Sequence, residues 1–232
     1  VYKRQDLVWV KDRASSSASE GYHHLVDSVR GAGKVLSSNA TLAEYWGGTN
    51  NSVTAFNSNG FNSGIYDGLN GDAMVTWLWK AGGTGVSNTS GSITTTVSVN
   101  TTAGFSIVSY TGVPVNSSPS TFGHGLGVAP KFLVFKNRDA VDDWYCYHAS
   151  LGNTTRISLD TTAAAVGGYG GWNSTSPTST VFTVTNNAFT SSTSQKMIAY
   201  CWAEVTGFSK FGSYTGNNSS DGPFVYCGFR PR

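Results

Sequence analysis

Charge is scarce in this chain. Only 12% of its 232 residues are Asp, Glu, Lys or Arg, about half the share of an ordinary soluble domain. With a net charge of +2 and no Lys/Arg-rich run, the electrostatic footprint of a nucleic-acid partner is missing. No apolar stretch approaches the roughly 18–20 residues of a membrane span. The longest, Phe132–Phe135 and Met197–Trp202, are strand-sized, so membrane insertion is not expected. Cysteine is limited to Cys146, Cys201 and Cys227. That odd, widely spaced set holds no C-x-x-C pair and offers no zinc or redox site. The three thiols read as small buried hydrophobes in strands, in keeping with folding in a reducing cytoplasm. Gly-x-Ser-x-Gly is absent, as is a Gly-rich loop between a strand and a helix. No metal or cofactor is expected.

Ser, Thr, Asn and 28 Gly fill the place of the missing charge. Gly is entropically costly in helices, and Ser, Thr and Asn compete for the backbone. The mixture suits short strands joined by turns. Hydrophobic residues make up 39% of the chain and aromatics 13%, enough for a packed core.

Internal similarity is the strongest signal. Leu7-Val-Trp-Val-Lys-Asp-Arg13 matches Phe132-Leu-Val-Phe-Lys-Asn-Arg138. Lys34-Val-Leu-Ser-Ser-Asn-Ala-Thr41 matches Thr155-Arg-Ile-Ser-Leu-Asp-Thr-Thr162. Ser52–Phe61 matches Thr180–Phe189, and Met74-Val-Thr-Trp-Leu-Trp79 matches Met197-Ile-Ala-Tyr-Cys-Trp202. Gly104-Phe-Ser-Ile-Val-Ser-Tyr-Thr-Gly112 recurs, with one inserted residue, as Gly207-Phe-Ser-Lys-Phe-Gly-Ser-Tyr-Thr-Gly216. The blocks keep their order, and their spacing drifts only in loops.

This pattern divides the chain. Residues 1–83 are expected to be a unit lacking its opening strand. Val1–Gln5 match the translation of a transposase sequencing adapter and are expected not to be native. Residues 84–103, rich in Ser, Thr and Gly, are a linker or an edge strand, with Thr84–Gly91 the flexible part. Residues 104–206 are a complete unit. Residues 207–232 are the opening strands of a third unit and are expected to be able to complete the first, because a bare sheet edge is a liability. Phe132–Lys136, Trp144–Tyr147, Arg156–Leu159, Val181–Thr185 and Met197–Trp202 read as strands. The fold expectation is all-β: β-sandwich or jelly-roll-like tandem repeats, with a concanavalin-A-like sandwich among the forms it admits.

Candidate site residues are few. His23 and His24 are adjacent, but aligning Gly31 with Gly152 sets His148 opposite Asp27, so no ligand set recurs. Asp139, Asp142 and Asp143 form an acidic cluster that the first unit lacks, and it reads as a solvated turn. No recurring pair of carboxylates can be nominated for glycoside hydrolysis. The aromatic pairs Tyr45–Trp46 and Tyr169–Trp172 fall in matching places. Aromatic faces there can stack on sugar rings, which makes Tyr45, Trp46, Tyr169 and Trp172 the candidate glycan contacts. The alternative is that each Trp plugs the open end of its sandwich.

Val8-Trp-Val-Lys-Asp-Arg13, His24-Leu-Val-Asp-Ser-Val-Arg-Gly31, Leu36-Ser-Ser-Asn39 with Ala43-Glu44, and Trp77-Leu-Trp-Lys80 together resemble a repeated domain of large structural proteins of marine tailed phages, including cyanophages. So do Gly125–Lys131, Tyr147–Gly152, Trp172–Thr178 and Phe211–Gly216. The resemblance covers nearly all of the chain beyond residue 5. It implies a virion protein of tail-fibre type, assembled in the host cytoplasm and oligomeric in its parent fibre. The expected partners are other virion proteins and, through the aromatic loops, host-surface polysaccharide. It supplies no catalytic residue, and a non-enzymatic structural and adhesive module is the expectation. A glycan-depolymerising tailspike-type fragment and a bacterial surface adhesin are the alternatives.

Overall fold

The computed structural model describes residues 4–13, 22–47, 52–64, 73–114, 119–168, 171–185 and 190–231. It is all-β, with sixteen strands and no helix among these residues. The strands are β1 (Leu7–Asp12), β2 (His23–Asp27), β3 (Lys34–Ser37), β4 (Tyr45–Trp46), β5 (Val53–Asn57), β6 (Gly60–Ser63), β7 (Met74–Trp79) and β8 (Val86–Asn88). They continue with β9 (Thr95–Asn100), β10 (Phe105–Thr111), β11 (Ser120–Gly123), β12 (Phe132–Asn137), β13 (Tyr145–His148), β14 (Ile157–Ser158), β15 (Val181–Val184) and β16 (Lys196–Trp202). One antiparallel sheet runs β4-β3-β2-β1-β7 and the other β14-β13-β12-β16-β10-β9-β8. Two separate antiparallel pairs, the β5–β6 hairpin and the sequence-distant β11–β15, complete the set.

β1 and β12 are apolar at successive positions because both faces of each sheet are covered. Leu7, Leu25 and Leu36 of the first sheet meet Phe105, Val134, Ile198 and Tyr200 of the second in a central core. The opposite face of the first sheet, Val8, Val10, Val26 and Val35, packs with Val53 and with Phe56 and Phe61 of the β5–β6 pair. The opposite face of the second, Leu133, Phe135, Met197 and Ala199, packs under Phe122, Phe182 and Val184 of the β11–β15 pair. The two sheets therefore form a sandwich whose outer faces are each roofed.

Matching the sequence blocks turns the order β3-β2-β1-β7 into β14-β13-β12-β16. The registers match as well. Leu7 pairs with Trp79 and Asp12 with Met74, while Phe132 pairs with Trp202 and Asn137 with Met197. Leu7 also pairs with Asp27, and Phe132 with His148. Matched residues face the same core: Leu25 and Cys146, Leu36 and Ile157, and Trp79 and Trp202 all point to the centre.

Two expectations need correction. Val86–Asn88 is a strand, not a flexible linker, and with Thr95–Asn100 it extends the second sheet past β10. The two halves share one core. Residues 207–231 hold no strand and do not pair with β7. Instead Phe208 and Ser209 donate their N–H groups to Val205 O in a tight turn, and Phe211 stacks on Phe132.

Candidate functional site

β4 is a two-residue strand at the edge of the first sheet, pairing Trp46 with Lys34 and Tyr45 with Val35. Pleating sends the two aromatics to opposite faces. Trp46 is 63% exposed. Its six-membered ring lies over Gly33, where a Cβ would come within 2.8 Å of two ring carbons. Gly33 also has φ +77°, so both its backbone and the indole above it require glycine. The result is an indole with one side seated on backbone and much of its surface in solvent.

Tyr45 is half-buried on the other side. Its hydroxyl lies 3.3 Å from His24 Nε2 and 3.4 Å from Ser37 Oγ. It borders an open groove of about 500 Å³ with Tyr22, His24, Leu42, Glu44 and Val141. Trp172 follows the plugging alternative and not the glycan-contact one. Only 3% of it is exposed. Its ring sits 4.9 Å from that of Phe135 and 5.8 Å from that of Tyr147, and its Nε1–H donates to Thr155 O at 3.3 Å. It closes the second half's outer core and presents no stacking face. Tyr169 lies outside the described residues. Of the four candidates, Trp46 alone is shown as a solvent-facing platform.

Beneath the groove lies a polar network that sequence reasoning missed. Arg30 is buried, and all five of its N–H donors are used. Nε bonds Asp27 Oδ2; Nη1 bonds Lys34 O and Glu44 Oε2 at 3.1 Å each; Nη2 bonds Leu25 O at 2.9 Å and the Tyr200 hydroxyl at 3.2 Å. Tyr200 in turn donates to Asp27 Oδ2 at 2.8 Å. Arg138 of the other half clasps both oxygens of Glu44, at 2.9 and 2.8 Å. Burial opposes the charge on Glu44, but the hydrogen bonds from Arg138 and Arg30 and their charges outweigh it and hold its carboxyl below the usual range. A buried ion pair of this kind is sustainable only when every donor and acceptor is met. The network ties β2 and the β3–β4 region of the first sheet to β12 and β16 of the second.

A second buried cation, Lys136, donates to Thr41 O at 3.0 Å and Asp142 O at 2.7 Å. Burial pulls its ammonium down to about 8 against the nearby charges of Asp142, Asp160 and Asp143. The acidic cluster proves to be turn chemistry. Asp142 Oδ1 accepts from Asp143 N and from the Tyr145 hydroxyl, while Asp139 accepts from Lys196 N. Among the described residues no group of three His, Cys, Asp or Glu side chains is placed to hold a metal. The Cys146 and Cys201 thiols are buried, and that burial pushes each up to about 12.

A family model described as "Domain of unknown function (DUF7483)" matches residues 1–232. The chain belongs to that family. No curated protein and no solved structure matches it. Within this DUF7483 domain the exposed Trp46 and the groove beside Tyr45 lie on opposite faces of one short edge strand, and the Arg30 network fixes Glu44, the residue that precedes them.

Proposed function

We propose that this DUF7483 chain is a structural and adhesive module of a phage tail fibre or similar virion appendage, built from tandem copies of one unit, with host-surface glycan contact through Trp46. What carries the adhesive part is the indole itself. A large aromatic held on backbone and left mostly in solvent gives a sugar ring an apolar face at low entropic cost. What supports the structural part is where the buried charge goes. Arg30, Arg138 and Glu44 satisfy one another across two sheets, which suits a stiff spacer. The phage setting comes from the sequence resemblance. A single such contact is weak, and a fibre would multiply it through valency.

Display of the chain on a multivalent carrier against an array of bacterial surface glycans tests this. Binding that Trp46→Ala abolishes, with thermal stability changed by no more than about 0.5 kcal/mol, is the expected result. No binding by the unaltered chain at high valency would remove the adhesive role and leave the spacer alone.

A further inference from the structure

The outer edge of β16 is occupied by β10, in the register Tyr110 opposite Met197 and Ser109 opposite Ile198. Among the described residues no strand pairs with the outer edge of β7, the matched strand of the first half. The chain carries a second version of the β10 sequence, in which Ser213-Tyr214-Thr215-Gly216 repeats Ser109-Tyr110-Thr111-Gly112. The two versions differ sharply in burial. Tyr110 is 4% exposed and Tyr214 is 70% exposed. Further along, Phe224 is 90% exposed. A strand-forming sequence with bare aromatics and a bare sheet edge that fits it are complementary liabilities in one molecule.

We infer that the β7 edge accepts the Gly212–Thr215 segment of a second copy of this chain. The added strand runs antiparallel to β7 in the register that β10 takes on β16. This places Tyr214 opposite Met74, Ser213 opposite Val75 and Gly212 opposite Thr76. Main-chain hydrogen bonds supply the attraction, as in strand addition to other open edges.

The donor is a second copy because the chain's own segment falls short. Phe211 stacks on Phe132, whose ring is 5.5 Å from that of Trp202, and Trp202 is 5.8 Å from Trp79 at the C-terminal end of β7. Met74 lies at the other end of that strand, five residues or roughly 16 Å away. The three residues from Phe211 to Tyr214 span at most about 11 Å. A second molecule has no such tether to the acceptor edge. Reciprocal exchange closes a dimer, and one-way exchange extends a filament. Both are self-association through the same strand. The inference goes beyond the adhesive reading and does not depend on it.

The test uses the full chain in a Cys227→Ser background, since Cys146 and Cys201 are buried. Sedimentation across a wide concentration range is expected to show a mass that rises with concentration. Tyr214→Pro lies in an exposed segment without strand pairing and leaves the melting temperature unchanged. It is expected to weaken association by about a hundredfold, since proline cannot donate to the ladder. Mixing one chain carrying Val75→Cys with another carrying Ser213→Cys is expected to give a disulfide-linked heterodimer under mild oxidation, and Ser219→Cys in place of Ser213→Cys is expected not to. Three results would each overturn the inference: a monomer at every concentration, association indifferent to Tyr214→Pro, or a Val75→Cys chain that forms no disulfide with the Ser213→Cys chain beyond what it forms with the Ser219→Cys chain.

Discussion

β7 and β16 hold the same register against β1 and β12, yet they live in different surroundings. In β16 every residue after Lys196 is buried, while in β7 Trp77 is 44% and Leu78 is 42% exposed. The difference lies not in the strands but in what covers them. β16 has β10 along its free edge and the β11–β15 pair over its outer face. β7 has neither. A strand's apolar content thus reports the surface it is able to bury, and its neighbours decide how much of that is realised. The polar interior differs too. The Asp27–Arg30 pair has no counterpart in the second half, where His148 and Leu151 hold the matched positions, and Leu151 is half exposed. One half carries the charge network, and the other supplies Arg138 and Tyr200 to finish it.

The sharpest way to break this asymmetry is to remove its pivot. Arg30→Ala leaves the buried Asp27 carboxylate without its cation, while Glu44 keeps Arg138, and is expected to cost about 3–5 kcal/mol. Leu151→Ala, at the matched position, is expected to cost well under about 1 kcal/mol because the site is half exposed. Urea denaturation midpoints read both. The strands themselves give the next comparison. Tyr200→Ala empties the central core and removes a hydroxyl from the network, for an expected loss of about 3–5 kcal/mol. Trp77→Ala, its match on β7, is expected to lose about 1 kcal/mol or less in dilute solution. Equal losses would mean that β7 is as well covered as β16.

A further expected effect is a pH dependence. A lysine in the unfolded chain titrates near 10.4, and burial brings Lys136 down to about 8. Between those values the unfolded state binds more proton than the folded one. Stability from this group therefore rises as pH climbs through that window, and the cost of burying the charge is fully present below it. Lys136→Met is expected to flatten that rise in denaturation curves collected from neutral to alkaline pH.

Much of this was legible in the sequence, because repeated blocks are independent of local propensity. The match of Leu7–Arg13 to Phe132–Arg138 placed β1 and β12 within a residue of their ends, and Met197–Trp202 was placed just as well. The equivalence of Asp27 and His148 reappears in the strand registers. What could not be read was cover. Trp46 and Trp172 sit in similar aromatic, glycine-rich contexts, but only Trp172 has Phe135 and Tyr147 beneath it. Thr84–Gly91 has linker composition, yet Val86–Asn88 pairs because β9 offers it an edge. Gly207–Gly216 has a strand's sequence and, among the described residues, no strand beside it. The Arg30 network left a trace in Asp27-Ser-Val-Arg30 followed by Glu44. Nothing local says, however, that a second sheet will close over those charges.

Backbone amide hydrogen exchange, followed residue by residue at low and high protein concentration, tests most directly whether β7 is an open acceptor edge matched to β16. In dilute solution the amides of β16 are expected to exchange only through global unfolding, while the outward-pointing amides of β7 exchange orders of magnitude faster. At high concentration the β7 amides from Met74 to Trp77 are expected to slow together with those of Gly212–Thr215. Equal protection of β7 and β16 in dilute solution, or β7 amides indifferent to concentration, would contradict it.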